Sequence, residues 1–412
     1  MYYFVYADEQ GNAYVDKEFY LLGRSGNSFV EPLPEEMIPL PEGASLISLP
    51  EREAVALDGK GDFVKYPRRG LPIGALLPQG YTRTLLPAFS GGKGKRELPL
   101  FGYSALGYRE CKFYVAALQT DEDDKWSPKH YNTASLARKI SEVRALFPDN
   151  RIITQLAYCA EYYGCFTAQN LFYQRWEAGV PTSPACNAAC LGCISLQESE
   201  CCPSPQQRIK FIPSREEISQ VLLFHLKNAR EGIISFGQGC EGEPTLQYQL
   251  IAESIREVRE KVNKGTINMN TNAGHPEAIH KLCSAGIDSF RVSINSARDL
   301  NYESYYRPRG YRFTEVRESL KIASAAGVYT YLNLLFFPGI NDSPREIEAL
   351  LRLIAETELK AIQLRNLNID PEKYLDSQKT ENREPLGVKT MLEILKNEFP
   401  ALALGNYSKP LR

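Results

Sequence analysis

The chain lacks the features that mark a membrane or exported protein. No stretch of its 412 residues approaches the roughly 20 consecutive apolar residues that a spanning helix needs. The opening MYYFVYADEQGNAY has no basic leader and no apolar segment, and an Asp-Glu pair comes early. A cytoplasmic protein is therefore expected, with no membrane partner. The net charge is only −2, so no excess of one sign advertises nucleic acid. Histidine is sparse: of His130, His225, His275 and His280, only His275 falls near the polar loops described below, and none is assigned as a base. The segment Ser90-Gly91-Gly92-Lys93-Gly94-Lys95-Arg96 lacks the spacing of a phosphate-binding loop and reads as a flexible basic surface loop. With 24% charged and 43% hydrophobic residues, the composition is that of an ordinary globular protein.

What the chain does have is a local density of thiol. Ten cysteines are modest for this length, and in a reducing compartment disulfides are the less expected use for them. Three of them, Cys186, Cys190 and Cys193, fall within eight residues. Thiolates this close can converge on one metal centre, and three ligands rather than four leave one iron of a cubane iron–sulfur cluster open.

Along the chain the texture changes. Residues 1–130 alternate short apolar runs with turn residues, as at Asp58-Gly59-Lys60-Gly61, and predict a β-rich accessory domain. Residues 131–174 predict a helical connector, with one helix carrying Leu136, Ile140, Val143 and Leu146 and a second from Ile152 to Tyr163. From 175 to 370, strand and helix signals alternate, beginning with the capping box Ser214-Arg215-Glu216-Glu217 and the apolar strand Gly232 to Phe236. Counting a strand before Cys186, six strands are expected, fewer than the eight of a closed barrel. Residues 371–412 predict a C-terminal helical segment with a helix near Val388 to Asn397.

In a parallel sheet of this kind, chemistry sits at the carboxyl ends of the strands. The polar loops fall there: the cysteine trio, Gly242-Glu243-Pro244, Asn270-Thr271-Asn272, Ser293-Ile294-Asn295, Pro338 to Asn341, and Arg365-Asn366 with Asn368.

The pattern Cys186-x-x-x-Cys190-x-x-Cys193, followed after the next strand by Gly242-Glu243-Pro244, resembles the radical S-adenosylmethionine (radical SAM) superfamily. The resemblance covers about residues 175–370 and implies an α/β fold, a partial (βα)6 barrel beside the smaller β-rich N-terminal domain. It implies a [4Fe–4S] cluster on Cys186, Cys190 and Cys193, with SAM chelating the fourth iron. Reductive cleavage of SAM would then yield a 5′-deoxyadenosyl radical that abstracts hydrogen from a substrate not identified by the sequence. A flavodoxin or ferredoxin is the implied electron donor. By the same resemblance, Gly242, Glu243 and Pro244 receive the methionine ammonium. Asn270 and Asn272, or Ser293 and Asn295, bond the ribose, and Arg307 or Arg309 pairs with the SAM carboxylate. Leu335, Phe336 and Phe337 lie where the family flanks adenine, although barrel core is the plainer role for at least two of them.

Two departures stand out. Gly192 occupies a position that is usually aromatic, so something else must pack the adenine edge, and Glu241 stands where the turn usually has glycine. Cys240 is a weak candidate for a catalytic hydrogen-atom donor, against the plainer role of packed thiol. Cys159, Cys165, Cys201 and Cys202 suggest a second cluster without any established spacing. Alternatives are a non-catalytic iron–sulfur or zinc regulatory protein, with Cys201, Cys202 or a histidine as a fourth zinc ligand, and an RNA-modifying enzyme using the basic stretches Lys65 to Arg69 and Lys93 to Arg96. The substrate class therefore stays open between small molecule, peptide and RNA.

Overall fold

The computed structural model describes residues 1–122, 124–197, 204–379 and 384–412. One sheet unit is a curled parallel sheet of seven strands in chain order: Arg175–Gly179, Arg230–Phe236, Thr266–Thr271, Ser289–Ile294, Tyr329–Phe336, Ala361–Asn366 and Ala403–Gly405. These are called the first to seventh barrel strands below. The first six match the expected alternation. The seventh was not expected; it forms because the C-terminal segment returns to pair with the sixth, Leu404 opposite Ile362.

Local chemistry sets the helices between the strands. Ser214 caps Arg215–Asn228, its hydroxyl accepting from Glu217 N (3.1 Å) while the Glu217 carboxylate accepts from Ser214 N (2.6 Å). The helix Pro276–Ala285 starts at proline and closes at Gly286, whose φ of 95° suits a residue without Cβ. The structure adds three helices the sequence reading passes over, Phe166–Tyr173, Asp299–Tyr306 and Pro371–Ser377. No described helix is long and apolar enough to cross a membrane.

The barrel interior is polar rather than aliphatic. Asn268 donates to Ser235 Oγ (3.0 Å) and accepts from Ser289 Oγ (2.8 Å) and the Tyr331 hydroxyl (3.0 Å). Above it, Arg291 donates to Glu177 (2.5 Å), Gln363 (3.0 Å) and Ser408 (2.9 Å). Buried polar groups are tolerated only when partnered, and this stack partners nearly all of its own. The C-terminal tail supplies Ser408 and continues beneath the strands, with Leu411 N on Thr266 Oγ1 (2.7 Å) and Arg412 on Asp288 (2.6 Å). The strands' carboxyl ends are left to the loops.

The N-terminal region is a separate antiparallel sheet of eleven strands with a three-stranded companion. Its strand Tyr81–Arg83 runs beside the sixth barrel strand: Arg83 N donates to Asn366 Oδ1 (2.9 Å) and Asn366 Nδ2 to the Tyr81 carbonyl (3.0 Å). The Arg83 side chain is fully buried and donates to the Leu367 carbonyl (2.8 Å). Of the basic stretches considered for RNA, Lys65 meets Glu53 (2.7 Å), Arg68 meets Asp16 (2.6 Å) and Lys93 meets Asp376 (3.4 Å). Those charges are answered within the protein.

Candidate active site

The loop after the first barrel strand carries the three cysteines, and backbone pairing holds it. Ala189 N and Leu191 N donate to the carbonyls of Tyr306 and Tyr305 (both 3.0 Å), and Arg309 N donates to the Asn187 carbonyl (2.8 Å). Asn272 Nδ2 reaches Asn187 Oδ1 (2.7 Å), tying the loop to the end of the third strand. Cys186, Cys190 and Cys193 thereby line one cavity of about 550 Å³.

Burial pushes the Cys186 thiol up to about 11, with the Glu243 carboxylate adding to the effect. Burial, then the charges of Cys193 and Cys186, raise Cys190 well above the ordinary thiol range. Thiols in this state lose protons when a metal binds. The Tyr306 hydroxyl is buried on the same cavity without a hydrogen-bond partner among the described residues. Also among the described residues, no three His, Cys, Asp or Glu side chains close on a single ion. In a cubane each thiolate takes its own iron, so the three thiols need not close on a single ion.

The turn after the second strand faces this loop. Gly242 N donates to the Ser183 carbonyl (2.7 Å) and Glu243 N to the Ala185 carbonyl (2.8 Å), so the turn pairs with the residues just before Cys186. A Cβ on Gly242 would lie 1.9 Å from the Ala185 carbonyl oxygen, which excludes any side chain there. Glu241 has a structural reason to replace glycine: its buried carboxylate accepts from Thr182 N (2.7 Å), Ser183 N (3.0 Å) and Gly237 N (2.5 Å). Burial outweighs those donors and lifts it to about 7. Glu243 is engaged too, accepting from Thr245 N (3.0 Å), Thr271 Oγ1 (2.6 Å) and Asn272 N (2.9 Å).

Of the other expected residues, Asn270, Asn272, Ser293 and Leu335 line the cavity, whereas Phe336 and Phe337 are fully buried core. Pro244 is buried at the start of a short helical turn, Pro244–Gln247, and does not line the cavity. Asn295 is a correction: it is fully buried off the cavity, donating to the Asn301 carbonyl (3.1 Å) and the Tyr374 hydroxyl (3.2 Å). Arg307 and Arg309 do not line the cavity: both side chains are exposed, Arg307 at φ 47° where Asp299–Tyr306 ends, although Arg309 N reaches the cysteine loop. The cavity arginines are instead Arg208, Arg291 and Arg365. Arg208 donates to Ser195 Oγ (3.1 Å) and stands 3.7 Å from Cys193 Sγ.

Tyr305 explains the glycine before the third cysteine. A Cβ on Gly192 would sit 3.0 Å from both the Tyr305 hydroxyl and the Asn368 carbonyl oxygen. Tyr305 is buried and lines the cavity, so an aromatic ring is present where the loop lacks one. Its position in a Tyr-Tyr pair six residues after Asp299 held no sequence signal for that role.

Cys240 does not line this cavity. It shares a neighbouring one of about 420 Å³ with Cys159 and Cys165. The Cys240 thiol hydrogen-bonds Cys159, which is brought down to about 7. Cys201 and Cys202 lie outside the described residues.

Residues 180–354 match the family model of the Radical SAM superfamily. They are a radical SAM domain. Members of this superfamily use a [4Fe–4S] cluster and SAM. No curated protein matches the chain. Among solved structures, the radical SAM domain and its surroundings are similar to Streptococcus suis SuiB bound to precursor peptide SuiA, with 12% identity and a TM-score of 0.38 over 62% of this chain and 53% of that one. A radical SAM methyltransferase from Sphaerobacter thermophilus gives 17% identity and 0.40 over 55% and 65%. The FeFe-hydrogenase maturase HydG from Carboxydothermus hydrogenoformans gives 13% and 0.36 over 65% and 74%. The chain spans about half the length of SuiB, and likeness at this level says nothing of substrate.

Proposed function

We propose that the protein is a radical SAM enzyme in which Cys186, Cys190 and Cys193 hold a [4Fe–4S] cluster and the cavity beside them receives SAM. The observation that carries this is the joint placement of three thiols, the side-chain-free Gly242 turn and the Tyr305 ring on one cavity. When bound and reduced, the cluster supplies the electron that cleaves SAM to a 5′-deoxyadenosyl radical, which takes hydrogen from substrate.

The chain's own residues orient and enclose. The backbone carbonyls of the Gly242-Glu243 turn and Glu243 Oε2, which among the described residues accepts from Asn272 N alone, suit an ammonium group. Arg208, next to Cys193, suits the SAM carboxylate in place of Arg307 or Arg309. Asn270, Asn272 and Ser293 offer amide and hydroxyl groups to the ribose, and Tyr305 offers a ring face to adenine. The N-terminal sheet closes the cavity with Leu77, Gln79 and Tyr81, which limits water around a reactive intermediate. A low-potential flavodoxin or ferredoxin is the proposed electron donor.

The test is anaerobic reconstitution with iron and sulfide, followed by reduction in the presence of SAM and chromatography for 5′-deoxyadenosine. The wild type is expected to bind about four irons per chain and release 5′-deoxyadenosine; Cys190→Ala is expected to do neither. A Cys190→Ala protein with a full cluster and undiminished SAM cleavage contradicts the proposal.

A further inference from the structure

The three cavity arginines differ in what answers their charge. Arg291 is paired with Glu177, whose carboxylate is also taken by Ser235 (2.7 Å), Gln238 (3.1 Å) and Ser408 (2.6 Å). Arg208 sits at the cysteine end, and its charge is the one felt by Cys186. Arg365, at the end of the sixth strand, is held only by neutral amide oxygens: Gln79 Oε1 (2.8 Å) and Gln363 Oε1 (3.1 Å). Among the described residues no carboxylate stands within ion-pair distance of it. The two acids that influence it, Glu177 and Asp121, act from farther away.

On the cavity wall the Glu177 carboxylate answers Arg291, and among the described residues none pairs with Arg365. Withdrawal from water, and then the neighbouring Arg291, bring Arg365 down to about 10. A guanidinium partly withdrawn from water and given only amide partners is costly unless an anion completes its fork. Independently, Asn333 Oδ1 is buried on the same cavity and has no partner among the described residues, so a donor for it is also wanting. Gln79 holds the guanidinium from the N-terminal sheet, which gives that sheet a share in the cavity beyond closing it.

We propose that Arg365 docks an oxyanion group of the substrate, a carboxylate or a phosphate, at the end of the cavity lined by Gln79, Asn333 and Asn366. This rests on the radical SAM reading, in which the substrate occupies the part of the cavity that SAM leaves free. The guanidinium fork presents two parallel donors to such a group, and Asn333 Oδ1 accepts from an adjacent hydroxyl or amine of the same molecule.

The test uses cluster-reconstituted protein saturated with SAM, so that the SAM carboxylate cannot be confused with the probe. Inorganic phosphate and succinate are titrated separately by calorimetry into wild type, Arg365→Gln, Arg365→Lys, Gln79→Ala and, as an exposed arginine off the cavity, Arg352→Gln, each first shown folded by its melting curve. Saturable binding of one probe is expected in wild type, weakened at least about tenfold in Arg365→Gln, less in Arg365→Lys and Gln79→Ala, and unchanged in Arg352→Gln. Preference for phosphate assigns a phosphorylated substrate, and preference for succinate a carboxylate. The proposal is overturned if neither probe binds wild type, if Arg365→Gln binds as wild type does, or if Arg365→Gln loses SAM affinity, which would make Arg365 part of the SAM site. Failure of the radical SAM reading shows separately, as wild type that holds no cluster or no SAM.

Discussion

The hydroxyl of Tyr305 lies 3.0 Å from the point that a Cβ on Gly192 would occupy. A glycine and an aromatic from distant parts of the chain have thus exchanged volumes: the cysteine loop gives up its own ring and receives one from the end of Asp299–Tyr306. The exchange can be run backwards. Tyr305→Ala is expected to weaken SAM binding by about 1–3 kcal/mol, the usual worth of an aromatic under a base, measured by equilibrium dialysis on reconstituted protein. Gly192→Phe alone is expected to lose cluster and SAM together, because the new ring meets Tyr305 and the Asn368 carbonyl. Gly192→Phe combined with Tyr305→Ala is expected to regain part of both. If the double variant is no better than Gly192→Phe, the two rings do not substitute for each other.

Arg52 and Asp370 join the N-terminal sheet to the barrel through an ion pair of 2.6 Å, with side-chain exposures of 1% and 3%. Asp370 also accepts from Leu98 N (2.8 Å) and from Glu372 N (2.8 Å), so its charge is satisfied from both sides of the joint. Removing one partner of such a pair strands the other, which costs about 3–5 kcal/mol. Asp370→Ala is therefore expected to lower urea stability by that order. Replacement of both, Arg52→Met with Asp370→Leu, is expected to recover much of the loss; equal loss in the double variant would mean that the contacts to Leu98 and Glu372 dominate instead.

His225 is fully buried on Arg215–Asn228, with Nε2 donating to the Trp176 carbonyl (2.8 Å). Burial brings its pKa down to about 4 from 6.5. The folded state therefore takes up a proton later than the unfolded state as pH falls. The stability it contributes is present above about pH 6.5 and is lost toward pH 4, and the loss between pH 7 and 5 comes to about 2 kcal/mol. Urea titrations at several pH values are expected to show this slope, and His225→Leu is expected to remove it whatever the variant does to stability at pH 7. An unchanged slope in His225→Leu would assign the acid lability to other groups.

The barrel strands and most of their helices were legible because apolar runs of strand length alternate with capped amphipathic segments. The cysteine trio and the Gly-Glu-Pro turn were legible because each needs particular residue types at fixed spacing, and Gly242 shows why: no Cβ fits against Ala185. The seventh strand, Ala403–Gly405, is too short to carry a period, and its pairing with the sixth depends on how the chain returns. The arginines are less legible, because spacing does not say which way a guanidinium points, and the side chains of Arg307 and Arg309 are exposed. Arg365 was legible as a rim residue from its place at the end of the sixth strand, whereas Arg208 and Tyr305 reach the cavity only through the tertiary arrangement.

The central claim is that the three cysteines leave one iron for SAM. It is tested most directly by electron–nuclear double resonance on the reduced, reconstituted protein with SAM labelled at its amino nitrogen and carboxylate oxygen. Hyperfine coupling from both labels to the cluster spin is the expected result, together with a change in the cluster's resonance when SAM is added. A reduced cluster whose spectrum is indifferent to SAM and shows neither coupling would contradict it.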